Sequence, residues 1–140
     1  MIKFYNIRFL YLFIFFSIFA CSKSADSNQP VTPAVEEDLV YTIDIDPGSG
    51  IYSSLGSSQD MKVLISSKVP SGGVGVDMVV KKDSDGTTVS SSSISSSKSN
   101  SITLTITNLT GGSICTVNVT VRSLSKPANT LTRTFKIAKK

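Results

Sequence analysis

Few side chains in this sequence could do covalent chemistry, and two of them are the cysteines, Cys21 and Cys115. A thiolate is the strongest nucleophile among the ordinary side chains, so each needs an account. Cys115 shares the parity of Val117 and Val119 in an alternating run, which reads as a small buried apolar position. Histidine is absent, and with it the commonest general base and metal ligand. Serine is abundant, but no serine stands in a nucleophile-elbow pattern. Asp83-Ser84-Asp85-Gly86 has the opening of a calcium loop. Calcium needs several more oxygen ligands at regular spacing, usually with a bidentate Glu, and no acid follows Asp85. A hairpin turn is the expected structure there. Asp44 and Asp46 share one strand face, as solvated surface, as partners of Lys side chains, or as weak ligands for a cation. No catalytic, metal or cofactor residue is assigned, no cofactor is expected, and an enzyme is not expected.

Cys21 has a different context. Met1 to Arg8 carries two cations, Lys3 and Arg8, and no acid. Phe9 to Ala20 is a nearly unbroken apolar run, long enough for the core of a signal peptide and short of the roughly 20 residues that span a bilayer. Cys21 follows at once, in S-I-F-A-C-S. This resembles the lipobox of bacterial lipoproteins, with an aliphatic residue at Ile18, a small one at Ala20, and then the cysteine. Phe19 is bulkier than that position commonly holds. The resemblance implies diacylglycerol transfer to the Cys21 sulfur, cleavage before Cys21, and acylation of the new amino group. Two or three acyl chains anchor stably where one does not. The alternatives are an ordinary secretory signal with a chance cysteine and an uncleaved short anchor. The phenylalanine-rich leader and the C-S-K-S-A-D start are similar to lipoproteins of the Bacteroidetes. In that group acidic residues soon after the cysteine mark export to the surface, and here the nearest is Asp26. Ser22, in place of the Asp that retains enterobacterial lipoproteins on the inner membrane, points to the outer membrane, on its periplasmic or its surface side.

The segment 21–38 has the composition of a flexible tether: Ser, Asn, Gln, Pro and acids. Pro30 and Pro33 favour extended backbone. Its 17 residues from Ser22 to Asp38 reach roughly 55 Å at about 3.3 Å each, enough to hold a domain clear of headgroups.

From residue 39 to 140 the pattern has period two, the mark of half-buried strands. Leu39, Tyr41, Ile43 and Ile45 alternate with Val40, Thr42, Asp44 and Asp46. Met61, Val63 and Ile65 form a second set. Val74, Val76, Met78 and Val80 form a third. Ile102, Leu104 and Ile106 alternate with threonines, and Cys115, Val117, Val119 and Val121 with polar residues. Shorter strands near Thr87–Ile94 and at Thr130–Ala138 bring the count to seven. The breaks are turn sequences, such as Pro47-Gly48-Ser49-Gly50, Pro70-Ser71-Gly72-Gly73 and Lys126-Pro127-Ala128-Asn129. No stretch has helical period. The expected fold is all-β: a seven-stranded antiparallel β-sandwich.

Ser101–Val121, S-I-T-L-T-I-T-N-L-T-G-G-S-I-C-T-V-N-V-T-V, is similar to strands E and F of fibronectin type III domains. Leu109, Gly111-Gly112, Cys115 and Val117/Val119 match in order. The resemblance implies an immunoglobulin/fibronectin type III-like domain. The family's corner tyrosine, whose hydroxyl bonds back to backbone, is Cys115 here, so the corner needs another closure. The family's early Trp is also missing. In the last strand Leu131, Arg133, Phe135 and Ile137 share a parity, which points Arg133 inward. Either a β-bulge resets the phase or the guanidinium reaches out at the end of the sandwich; the bulge is the expected solution.

The net charge is +4, about +2 once Lys3 and Arg8 are removed. All acids lie between Asp26 and Asp85, and only cations follow, from Lys98 to Lys140. Phe135 is the only aromatic among those late cations, so the clustered bases with stacking rings that nucleic acid needs are not formed, and no nucleic acid is expected. The serine-dominated run Thr87–Ser101 reads as a soluble edge that resists strand-to-strand pairing, as a mobile edge, or as a hydroxyl-rich surface for carbohydrate. Tyr52 is the best candidate for a ligand-stacking ring. The expectation is a membrane-anchored, non-catalytic binding or accessory lipoprotein, held through lipid on Cys21, that presents one domain to a protein or glycan partner. The alternative is a structural periplasmic envelope component that associates with itself.

Overall fold

The computed structural model describes residues 35–140; the leader, Cys21 and the tether as far as Ala34 lie outside the described residues. The alternating runs form strands and no helix: β1 (Tyr41–Ile43), β2 (Ile51–Ser54), β3 (Gln59–Ile65), β4 (Val74–Lys82), β5 (Thr88–Ser97), β6 (Ser101–Ile106), β7 (Ile114–Ser123) and β8 (Thr130–Lys139). They make two sheets, one in the order β1-β3-β6 and one in the order β2-β8-β7-β4-β5. The arrangement is all-β and sandwich-like, with the apolar inward positions of β1, β3, β4, β6 and β7 buried. Rows of the larger sheet align as Val80–Val117–Phe135 and Val76–Val121–Leu131. Tyr41, Met61, Val63, Ile102, Leu104 and Ile106 supply the facing layer.

Two features depart from the expected seven antiparallel strands. The eighth strand is β2, and it runs parallel to β8, from Ile51 opposite Lys136 to Ser54 opposite Lys139. Its four residues lie between Gly50 and Gly56 and are too short for an alternation to show. The Asp46–Gly50 turn carries the chain from the smaller sheet to the edge of the larger one. There the Asp46 carboxylate accepts the Gly48 N–H at 2.9 Å, and Gly48 has φ +68°, in the left-handed region that favours glycine.

Arg133 needs no bulge. The β7–β8 register runs unbroken from Ile114–Ala138 to Arg122–Thr130, with Arg133 opposite the fully buried Val119. The bulge expected from the parity is therefore absent, and Arg133 does point to the inner side. Its guanidinium carbon lies 5.5 Å from the centre of the Tyr41 ring, a cation–π arrangement. Its Nε is buried without a hydrogen-bond partner. Tyr41 itself donates from its hydroxyl to the Val119 carbonyl at 2.6 Å, tying the edge of one sheet to the middle of the other.

The corner before Cys115 is closed by backbone. Leu109 is buried, and its N–H bonds the Ser57 carbonyl at 3.0 Å. Asn108 takes φ +60°, a conformation Asn tolerates. Gly111 bridges to Lys139.

Candidate functional site

The two ends of the sandwich differ in what they can do. At one end the chain enters. Asn129, buried in the turn before β8, accepts the Leu39 N–H on Oδ1 at 2.9 Å. Its Nδ2 donates to the Glu36 carboxylate at 2.7 Å and to the Glu37 carbonyl at 2.9 Å. The Glu37 carboxylate accepts the Lys68 N–H at 3.1 Å. One side chain thus orders the backbone just before β1, and the described chain is fastened from Glu36 onward. Nothing in the spacing of Asn129 announces this, because its partners are about 90 residues away.

The opposite end, one length of β7 away, gathers the β4–β5 turn, the Asn108–Ser113 corner, the Leu55–Ser58 loop and the end of β8. The Gly86 N–H bonds the Lys82 carbonyl at 2.9 Å and closes the turn, and the Asp83 N–H bonds the Ile114 carbonyl at 2.9 Å and holds that turn beside the corner. Between them lies an open cleft of ≈ 290 Å³, lined by Lys82, Asp83, Ser84, Gly112, Ser113 and Ile114. Ile114 is partly exposed there, and Leu55 at the same end is 85% exposed.

The Asp83 carboxylate accepts from Lys136 Nζ and from Thr116 Oγ1, both at 2.6 Å. Those two contacts, Lys136 foremost, hold its carboxyl below the usual carboxylate range. Asp85 is likewise held low, mainly by the Thr87 N–H it accepts at 2.9 Å. The Asp-Ser-Asp-Gly sequence is a hairpin turn whose carboxylates serve local hydrogen bonds. Gly86 carries φ +72° there. Asp44 accepts the Lys62 N–H at 2.8 Å, so it too has a backbone partner. Among the described residues no three His, Cys, Asp or Glu side chains gather as a metal site.

Cys115 sits behind the cleft, opposite Lys82 in the β4–β7 register, and is buried. Burial pushes its thiol pKa up, and Asp83 adds to the shift. A thiol held protonated is a poor nucleophile, so the cleft has no activated sulfur. Tyr52 is half-buried on β2, opposite Ile137, and packs against the core. Only part of its ring is open to a ligand. The other described aromatics, Tyr41 and Phe135, are buried.

The outer face of the larger sheet is polar and internally bonded. Thr120 and Thr132 share a hydroxyl contact at 2.9 Å, Thr134 donates to Asn118 at 2.8 Å, and Arg122 pairs with Asp77. Ser93 also donates to Asp77, and the hydrogen bond from Ser93 is the main reason the Asp77 carboxyl sits below its usual range.

No protein-family model matches the chain, and no curated protein matches it. Among solved structures the chain is similar to part of the β-glucuronidase of Parabacteroides merdae, with a TM-score of 0.45 and 15% identity. The match covers 74% of this chain and 13% of that enzyme, so the chain spans a small fraction of its length.

Proposed function

We propose that the chain is a membrane-anchored, non-catalytic binding lipoprotein, lipidated on Cys21, that holds one immunoglobulin/fibronectin type III-like domain away from the membrane. Its partner is a protein or a glycan met by the loops at the far end. The observation that carries this reading is polarity. The described chain enters the domain at the Asn129 end, and the cleft of Lys82, Asp83 and Ile114 lies at the opposite end. The strand order supports the fold family: β1-β3-β6 against β8-β7-β4-β5 corresponds to A-B-E against G-F-C-C′. A protein partner is favoured over a stacked sugar, because no aromatic among the described residues is fully exposed. The anchor belongs on the outer membrane, on its periplasmic or surface side.

Protease shaving of intact cells, with a periplasmic protein as leakage control, tests the placement. Loss of the domain while the control survives puts the cleft outside the cell. Protection of a domain that is cleaved in lysates puts it in the periplasm. Labelling with a radioactive fatty acid tests the anchor: label on the wild-type chain and none on Cys21→Ser is the expected outcome. Equal label on both variants, or label on neither, rules the lipidation out. The contact end is tested with Ile114→Asp, which is expected to weaken capture of an envelope partner that Thr103→Asp, opposite Lys62 on the smaller sheet, leaves intact.

A further inference from the structure

The longest exposed edge of the fold is β5. It has ten residues, Thr88–Ser97, pairs with β4 on one side and has no strand on its other side among the described residues. Long edges are ordinarily blunted by charge, proline or bulges. Across β5 there is no charge and no proline, only Thr-Val-Ser-Ser-Ser-Ser-Ile-Ser-Ser-Ser. Register shifts against β4 fall near both ends, between Val80 and Lys81 and between Val74 and Val76. They leave Ser90–Ile94 as a regular stretch with single spacing, where Ser90 and Ser92 oppose Val80 and Met78 on the inner side. The lower end of the strand is already covered, since the Asn108 side chain donates to the Val89 carbonyl and the Thr107 N–H to the Ser90 hydroxyl.

We propose that two copies of this chain join edge to edge along β5, antiparallel, with the two-fold axis at Ser92. Directly opposed residues of an antiparallel pair must face the same side. Placing Ser92 on the axis meets that condition, with Ser90 opposite the second copy's Ile94 and Ser91 opposite its Ser93. The flanking charges select a second copy as the occupant. The turn that precedes β5 carries an exposed acid, Asp85, next to Lys82, and Lys98 follows the strand. Antiparallel self-pairing over Ser90–Ile94 therefore directs each Lys98 toward the end of the other copy that carries Asp85. The edge strand of the smaller sheet, β6, is also uncharged. It is preceded by Lys98 and followed by no acid at all, so its self-pairing has no such complement. β1 and β2, at three and four residues, are too short to compete. Small serine side chains let the backbones approach without obstruction, and paired hydroxyls add cross-strand hydrogen bonds. A two-fold pairing uses up the edge on both copies, so the assembly closes as a dimer. The proposal depends neither on the lipid nor on the distal cleft.

The test is disulfide trapping of the full chain in bacterial envelope preparations, oxidised with copper phenanthroline and resolved on non-reducing gels. Unsubstituted protein controls for Cys21 and Cys115. Ser92→Cys is expected to give a homodimer as the main species, and Thr105→Cys, on the outer face of β6, to stay monomeric. Lys98→Glu in the Ser92→Cys chain is expected to lower the trapped fraction several-fold, and adding Asp85→Lys to restore it. No dimer from a Ser92→Cys thiol that maleimide still labels overturns the proposal. Equal trapping at Thr105→Cys, an adduct with a different protein instead of a second copy, or indifference to Lys98→Glu overturns it as well.

Discussion

Tyr41 offers a direct measure of how firmly the two sheets are joined. Its hydroxyl lies inside the sandwich, bonded to the Val119 carbonyl at 2.6 Å. Burial, offset in part by the backbone and then the charge of Arg133, pushes its pKa from 10.0 up to about 12. The folded chain thus keeps a proton that the unfolded chain releases near pH 10. Stability carried by the neutral phenol is complete below pH 10 and falls as pH rises through 12. At about 1.4 kcal/mol per pKa unit, roughly 2 kcal/mol is lost by pH 12. Tyr41→Phe has no such proton. At pH 8 it loses only the hydrogen bond, about 1 kcal/mol. Every other side chain is common to both proteins, so the difference between wild type and variant isolates Tyr41. Urea unfolding followed by circular dichroism should show wild type the more stable at pH 8 and the variant the more stable at pH 12. The curves should cross at about pH 11 by the same arithmetic. A constant gap from pH 9 to pH 12 would refute both the burial of this hydroxyl and its role as the tie between sheets.

Other outcomes follow from single contacts. Asn129→Ala removes three hydrogen bonds, to Glu36, Glu37 and Leu39; it should cost about 2–3 kcal/mol and speed amide exchange at Leu39, read by NMR. Arg133→Met exchanges a guanidinium whose Nε is buried without a partner for an apolar chain of similar length. Relief of that Nε, about 1–3 kcal/mol, outweighs the lost contact with Tyr41, about 0.5–1 kcal/mol, so the urea midpoint should rise. Lys136→Met removes the main cause of the low Asp83 pKa. The Asp83 carboxyl should then titrate at higher pH by carbon-13 NMR. In wild type the stability from this pair is present at neutral pH and is lost as pH falls through the Asp83 pKa. Native Cys115 should resist a thiol reagent and react only on unfolding, because its thiol is buried and held protonated.

Much of this architecture is written in local pattern. Period-two alternation marked β3, β4, β6 and β7 and told which side of each faces inward, because successive side chains on a strand must point to opposite faces. The same parity put Cys115 among the buried valines and Arg133 on the inner side, and the structure agrees on both. Asp83-Ser84-Asp85-Gly86 was legible as a hairpin turn, since Gly86 supplies the left-handed backbone the turn needs. The apolar leader and Cys21, read as a lipoprotein signal, are likewise local statements. Tertiary structure alone decided which strands become neighbours. The parallel seat of β2 beside β8, the Asn129 contacts with Glu36 and Leu39, and the Tyr41 bond to Val119 join residues about 80 to 90 positions apart. No periodicity spans such a distance. Arg133 shows the division well: its parity points inward, and a bulge is the local way to avoid burying its charge. The fold instead met the charge with the Tyr41 ring, a neighbour that only the packing of two sheets could bring there.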